Sequence, residues 1–178
     1  MNTSSVARPE NSPHEMVEEV SLQGQVLRHV TRRQMRAEGL CHRSVFVAIV
    51  SHNGDLLVHR RSESKDLWPG WWDVAVGGVL APGESPEKGA IRELSEELGV
   101  IGAPIELAGT GAYTDRDVSL VASIYMCRTE GPFTFADGEI TEAHWVSPAE
   151  LPIWLQAKSF LPDSVALVLP LLRGVTSI

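Results

Sequence analysis

The alternation of apolar and polar positions divides the chain into short strands and helices. Residues 44–50 are apolar almost throughout, which predicts a central strand buried on both faces. A hairpin signal at residues 52–55 then predicts a returning strand at Leu56–Arg61. Further strands are predicted in two pieces within residues 19–29, and at residues 105–113, 118–128 and 143–146.

Two stretches carry strong helix signals. Thr31 is a candidate N-cap for a short helix that Gly39 closes. Ser85 followed by Pro86 begins a longer helix, because Ser is a favoured N-cap and Pro a favoured first residue. Gly99 would end this helix. Its predicted apolar stripe consists of Ala90, Ile91, Leu94 and Leu98.

The two ends of the chain differ in character. Residues 1–18 are polar and without an apolar period, which predicts a disordered tail. Ser147 followed by Pro148 predicts another helix start, and a final helix is predicted at residues 163–172. Helices beside a mixed sheet predict an α/β sandwich, with residues 19–178 forming a single domain.

Composition and charge narrow the functional classes. The 178 residues carry a net charge of −8, which argues against nucleic-acid binding and against a cationic membrane anchor. The N-terminus lacks the apolar core of a signal peptide, and no apolar run is long enough to cross a bilayer. Cys41 and Cys127 can form at most one disulfide, so we expect inert thiols in a reducing cytoplasm.

The longer predicted helix concentrates carboxylates. Glu93, Glu96 and Glu97 share one face about 6 Å long, and Glu84 lies just ahead of the helix. Like charges at this spacing repel, and Arg92 alone cannot neutralise them. The face is either simply solvated or a site for a hard divalent cation, for which Mg²⁺ is the natural candidate beside phosphates.

The spacing of the residues around these glutamates favours the metal site. From Gly78 to Val100 the sequence follows G-x5-E-x7-R-E-U-x-E-E-x-G-U, where U is apolar. This segment matches the Nudix box, and the chain is identified as a member of the Nudix hydrolase family. The resemblance implies an α/β/α sandwich with a mixed β-sheet and a loop–helix–loop formed by the box. Gly78, Glu84 and Gly99 would be structural, with Glu84 fastening the loop to the helix.

The resemblance also implies a chemistry. Glu96 and Glu97 would be the main metal ligands, assisted by Glu93 and by the carbonyl group of Gly77 or Gly78. Arg92 would orient these glutamates. The bound Mg²⁺, or Mn²⁺ in its place, would activate water to attack a diphosphate linkage.

Some family members take a further metal ligand or base from a loop before a late strand. Glu139 is the best positional match, and Glu142 the second. Because this loop is acidic, either side chain could instead be solvated.

Residues 56–78 are similar to the corresponding stretch of isopentenyl-diphosphate isomerases, a branch with the same fold. There, an Arg and a Lys at the positions of Arg61 and Lys65 hold the substrate diphosphate. Because Arg60 and Arg61 are adjacent on a predicted strand, only one of them should face the site. We expect that residue to be Arg61.

Most residues that the isomerase reaction requires are absent from this chain. The isomerase cysteine falls on Gly77, and among the metal-binding histidines only His42 has a counterpart. The other two positions are Met35 and Val79. Glycine cannot protonate an alkene, so an isomerase-like scaffold running hydrolase chemistry is expected.

Aromatic and basic residues near the box leave alternatives open. Trp68, Trp71 and Trp72 could stack a nucleobase, with Trp68 the first candidate, or they could cover the core. Five arginines within residues 28–43 form either a solvated face or a surface that steers an anionic substrate.

Together these observations predict Mg²⁺-dependent hydrolysis of a diphosphate linkage in a nucleoside diphosphate or its derivative. The expected partner is this small molecule, and the oligomeric state, monomer or homodimer, stays open. The alternatives are an isopentenyl-diphosphate isomerase-like enzyme and a nucleotide-diphosphate sensor without turnover.

Overall fold

The fold is a curled mixed sheet with helices on both faces. The computed structural model describes residues 12–172. The strands are β1 (Met16–Val20), β2 (Val26–Thr31), β3 (His42–Val50), β4 (Leu56–Arg61), β5 (Trp72–Asp73), β6 (Val76–Val79), β7 (Ile105–Thr114), β8 (Ser119–Arg128) and β9 (Ile140–Val146). The helices are α1 (Arg32–Glu38), α2 (Pro86–Leu98), α3 (Leu151–Ala157) and α4 (Pro162–Leu172).

Strand β3 is the centre of the sheet. It pairs in parallel with β8 and antiparallel with β1, β4 and β6. Outside these pairs, β7 lies beside β8, β9 and β5 lie beside β4, and β2 lies beside β1. The predicted central strand is therefore confirmed, and its apolar side chains are buried on both faces.

The two faces of the sheet build two hydrophobic cores. On one face Leu94 and Leu98 of α2 pack with Val45 and Val47 of β3. On the other face Val168 of α4 packs with residues of the same central strand. A helix layer on each side of a mixed sheet confirms the predicted α/β/α sandwich. Among residues 12–172, none of the helices is both long and apolar enough to span a membrane.

The predicted disordered tail needs correction at its end. Residues 16–18 belong to strand β1, and Val17 is only 1% exposed. The physical reason is pairing: β1 forms a hairpin with β2, and Val17 lies opposite Val30. Such short strands give only a weak pattern in the sequence, so the start of β1 was not predicted. Residues 1–11 and 173–178 lie outside the described part of the chain.

Two smaller predictions are also corrected. Ile91 is 48% exposed, so it does not belong to the buried stripe of α2. Helix α3 begins at Leu151 rather than at Ser147, because Ser147 and Glu150 close a separate turn with reciprocal hydrogen bonds. The turn resembles a capping box, which explains why the sequence predicts a helix start at Ser147, before the helix begins.

Candidate active site

The carboxylates of the site are carried by α2. Ser85 begins the helix as predicted, since its hydroxyl accepts a hydrogen bond from the N–H of Lys88 at 3.4 Å. Gly99 ends the helix in the left-handed conformation. Because Leu94 and Leu98 pack against the sheet, neighbouring positions on the same side also turn inward. Glu93 and Glu97 are therefore buried.

Two consecutive glycines of β6 let these carboxylates reach the strand. The N–H of Gly77 donates to Oε1 of Glu97 at 3.2 Å. A side chain at position 78 would overlap the carboxylate of Glu93, and one at position 77 would overlap the carbonyl oxygen of Val45 on β3. The close approach of neighbouring groups therefore explains both glycines.

Arg92 connects the loop before α2 to the glutamates on it. Its guanidinium donates to both carboxylate oxygens of Glu84, at 3.0 and 3.1 Å. It also donates to Oε1 of Glu93 at 2.9 Å and to Oε2 of Glu96 at 3.0 Å. Glu84 in turn accepts a hydrogen bond from the N–H of Ala81 at 3.0 Å. These contacts support an orienting role for Arg92 and a fastening role for Glu84.

Glu97 lies in an unfavourable position for a negative charge. Burial raises its pKa well above the ordinary value, and the neighbouring carboxylates of Glu93 and Glu139 raise it further. Lys65 and the N–H of Gly77 oppose this effect only in part. A cluster of this kind is destabilising unless a cation neutralises it.

The donor set suits a hard metal ion. Glu93 and Glu97 are buried, while the side chain of Glu96 is 37% exposed at the rim. Each supplies carboxylate oxygen, the ligand type that Mg²⁺ and Mn²⁺ prefer. Within residues 12–172, no three His, Cys, Asp or Glu side chains already converge on one point. Glu93 and Glu96 instead both contact Arg92.

The cleft beside the glutamates has a basic wall. Its cavity volume is about 90 Å³, and it is lined by Glu93, Gly77 and Gly78. Arg61 and Lys65 line it as well, and these two residues are the basic wall. Of the residues predicted for the site, Glu93, both glycines, Arg61 and Lys65 therefore share this cleft. Glu96 and Glu97 lie on the same helix but are not among the residues that line it.

The structure distinguishes Arg61 from its neighbour. Arg61 lines the cleft and donates through Nη2 to the carbonyl of Leu67 at 3.3 Å. Arg60 lies on the other side of the strand, where it donates to the carbonyl of Gly70 and to Glu63, each at 3.0 Å. The expectation that only one of the two arginines faces the site agrees with this placement.

The two late glutamates are also separated by the fold. Glu139 lines the cleft and forms a close ion pair with Lys65. Glu142 lies opposite Arg60 on the paired strands and forms a hydrogen bond with His144 at 2.6 Å. Glu142 therefore lies away from the cleft, and Glu139 is the geometrically suitable candidate.

The three tryptophans of the following loop have different surroundings. Trp68 lines the cleft, and its φ of 48° is unusual for a bulky residue. Trp71 lies beside it, with ring centroids 6.4 Å apart. Trp72 is buried and packs edge-on against Trp154 at 5.1 Å. Trp72 thus covers the core, whereas Trp68 both packs against the edge of that core and lines the cleft.

The isomerase-like positions are occupied by apolar packing. Met35 and Val79 belong to a small buried cluster with Val17 and Val30. His42 is buried, and burial lowers its pKa to about 4, so the side chain is neutral near pH 7. Its Nδ1 lies 3.2 Å from the carbonyl of Leu40. His42 lines the cleft, but Met35 and Val79 offer no imidazole beside it, so the histidine metal site of the isomerases cannot form here.

Sequence reasoning missed six charged side chains of the cleft. The missed residues are Glu15, Arg32, Arg36, Asp66, Asp73 and Asp163. The arginines were visible only as part of a basic run. Asp73 and Asp163 carried no pattern signal, because they meet through the pairing of β4 and β5 and the docking of α4 rather than through spacing.

The fold and the cleft define a class: an α/β/α sandwich in which a loop–helix segment presents buried glutamates beside a basic wall. A model of the NUDIX domain matches residues 41–164, more than half of the chain. The chain therefore belongs to the Nudix hydrolase family and is an enzyme of that class. The Nudix hydrolase YfcD of Escherichia coli K12 is 35% identical over 151 residues, covering 85% of this chain and 83% of its own.

Other relatives and solved structures agree. The Nudix hydrolase orf19 of Rhodococcus erythropolis is 33% identical over 170 residues, 89% of this chain and 92% of its own. The crystal structure of DR0079 from Deinococcus radiodurans superposes with a TM-score of 0.73 at 25% identity, covering 90% of this chain and 98% of that one. The NUDIX domain of Shewanella oneidensis NrtR, complexed with ADP ribose, superposes with a TM-score of 0.62 at 19% identity, covering 82% and 99%, and shares the fold.

Proposed function

We propose that this enzyme hydrolyses a diphosphate linkage in a nucleoside diphosphate or its derivative, and that it requires Mg²⁺, for which Mn²⁺ can substitute. The observation that carries the proposal is the cleft itself. Buried carboxylates that repel one another lie beside Arg61 and Lys65. A diphosphate with a divalent cation would satisfy both groups.

The glutamates of α2 would hold the cation. Glu96 and Glu97 would be the main ligands and Glu93 would assist, together with a carbonyl oxygen of β6. When bound, the ion supplies Lewis-acid polarisation of a phosphoryl oxygen and lowers the pKa of water. Arg92 would keep these carboxylates aligned through its contacts with Glu93 and Glu96.

The basic wall would bind the substrate. Arg61 and Lys65 would hold the phosphate oxygens, and a substrate would compete with the ion pair between Lys65 and Glu139. Glu139 would act as a further metal ligand or as a base for the attacking water once Lys65 binds phosphate. Trp68 would stack against the nucleobase at the edge of the cleft.

The two alternatives are less well supported. An isopentenyl-diphosphate isomerase-like enzyme would need an acid near the position of Gly77, where this chain has no room for a side chain. A sensor that binds without turnover would not require three carboxylates beside the phosphate-binding wall. The cytoplasmic location stays an expectation of the sequence.

The direct test is a turnover screen with Mg²⁺, with and without EDTA, in which products are resolved by mass. The panel contains nucleoside di- and triphosphates, nucleotide sugars, ADP-ribose, dinucleotides and isopentenyl diphosphate. Hydrolysis of one nucleotide class that EDTA abolishes is the expected result. Isomerised isopentenyl diphosphate without phosphate release would refute the proposal, as would tight nucleotide binding without any metal-dependent product.

The role of Glu97 is tested by Glu97→Gln, which keeps the size of the side chain and removes its charge. We expect kcat to fall by several hundredfold or more, because a main metal ligand is lost, while the circular dichroism spectrum stays unchanged. Glu87→Gln is the matched control, since Glu87 lies in the first turn of the same helix and outside the cleft. Near wild-type turnover of Glu97→Gln would exclude Glu97 as a ligand.

A further inference from the structure

Helix α1 contributes two arginines to the cleft that the roles above do not use. Arg32 and Arg36 lie four residues apart, so they project from one face of the helix, and both line the cleft together with Arg61. Their side chains are only 12% and 24% exposed. Arg33, which lies next to Arg32 on the same helix, is exposed and does not line the cleft.

Three guanidinium groups from two separate elements therefore meet in one place. Burial and the positive charges of Arg32 and Arg61 lower the pKa of Arg36, an effect that Asp66 opposes. The Nε atoms of Arg32 and Arg61 are buried and have no hydrogen-bond partner within residues 12–172. Buried donors without a partner are rare in folded proteins, and these two indicate an acceptor that the chain does not supply.

The carboxylates of the cleft satisfy this group only in part. Glu15 lies 3.5 Å from Nη1 of Arg32, and Asp66 lies 3.1 Å from Nε of Arg36. Each of these contacts uses one nitrogen of a group that carries five N–H donors. Asp163 attracts Arg61 at longer range, but within the described residues the two form no ion pair.

We propose that Arg32 and Arg36 of helix α1, beside Arg61, form a subsite for a further phosphate group of the substrate, beyond the diphosphate that is hydrolysed. A phosphate group offers several acceptor oxygens and more negative charge than a carboxylate, which suits guanidinium groups arriving from two directions. The inference rests on the proposed function in treating this cleft as the substrate site. It narrows the substrate class to diphosphates that carry at least one additional phosphate.

The experiment measures binding without turnover. Titration calorimetry in EDTA compares inorganic pyrophosphate with tripolyphosphate, which adds one phosphate. We expect wild type to bind tripolyphosphate more tightly. Arg32→Gln and Arg36→Gln should each weaken tripolyphosphate binding about tenfold or more and pyrophosphate binding less than threefold, since charge-assisted hydrogen bonds are lost only from the added phosphate. Arg33→Gln, the matched control, should bind both as wild type does.

Unchanged tripolyphosphate binding by both variants, or an equal loss for the two anions, would refute the subsite. Thermal melts verify that each variant is folded. Arg36→Lys gives a second measurement, because it keeps the charge and loses the planar fork, and it should bind with intermediate affinity. Hydrolysis without arginine-dependent tripolyphosphate binding refutes the subsite alone. Arginine-dependent binding without metal-dependent hydrolysis refutes the proposed function alone.

Discussion

Several acidic side chains in this protein are buried, where a charge is costly. Glu93 and Glu97 are buried on α2, and Asp73 and Asp163 are buried where they line the cleft. A carboxylate removed from water is stable only with compensating hydrogen bonds or cations. Asp163 accepts a hydrogen bond from the N–H of Ser164 at 2.8 Å, which compensates only in part.

The pH dependence of stability should report this cost at Asp163. Burial and the nearby Asp73 raise the pKa of Asp163 to about 6, from 3.8 in the unfolded chain. The folded state therefore binds more protons between these values, so the contribution of Asp163 to stability is lost as pH rises through this window. Relative to wild type, Asp163→Asn should gain about 2 kcal/mol between about pH 4.5 and pH 8.

Urea unfolding of both proteins across this pH range measures the difference. Any effect of the substitution that does not depend on pH, such as a weaker start of α4, changes the free energy of unfolding by the same amount at every pH. Curves that stay parallel from acid to neutral pH would show that Asp163 ionises normally in the folded state.

At the scale of elements, the site depends on how closely α2 and β6 approach the central strand. The pairing of β6 with β3 sets Gly77 opposite Phe46, and the N–H of Gly77 then faces Glu97. The helix and the strand are therefore coupled through backbone groups rather than through side chains alone. A side chain at position 77 would disturb both the strand pairing and the carboxylate.

Gly77→Ala tests this coupling. The added methyl group would overlap the carbonyl oxygen of Val45, a backbone atom that cannot move away alone. We expect a loss of about 2–4 kcal/mol in the free energy of unfolding, measured by urea denaturation. Gly102→Ala is the control, because position 102 has open space and only an unfavourable φ of 73°, so it should lose about 1 kcal/mol. Equal losses for the two variants would contradict the steric argument.

For the whole molecule, the cleft brings together side chains from distant parts of the chain. Helix α1, the loop after β4, strand β6, helix α2 and the start of α4 all contribute side chains to it. A ligand that binds only this arrangement stabilises the folded state by mass action.

Mg²⁺ should therefore raise the melting temperature. With a dissociation constant near 1 mM, about 10 mM Mg²⁺ adds roughly 1.4 kcal/mol, which corresponds to about 3–5 °C for a domain of this size. Scanning calorimetry at constant ionic strength measures the shift. The double variant Glu93→Gln/Glu97→Gln should lose it, whereas Glu87→Gln should keep it. An equal shift in all three proteins would show that the ion acts elsewhere.

Local features were predictable because they depend on neighbours in sequence. The caps Ser85 and Gly99 and the apolar run of β3 each specify their element within a few residues. The hairpin of β1 and β2 was harder, since its strands are short. Arg32 and Arg36 were predicted only as a basic run, because the pattern of one helix does not say what its faces meet.

By itself, the sequence determined the family, the central strand and the glutamate helix, since helical periodicity places residues three and four apart on one face. It did not predict the short strands β5 and β6, which form through pairing with β4 and β3. Only the tertiary structure decided which charges share the cleft. Lys65 and Glu139 are 74 residues apart in sequence and form an ion pair, while Arg60 and Glu142 lie elsewhere. Such contacts depend on strand pairing and helix docking, which bring distant segments together and have no period in the sequence.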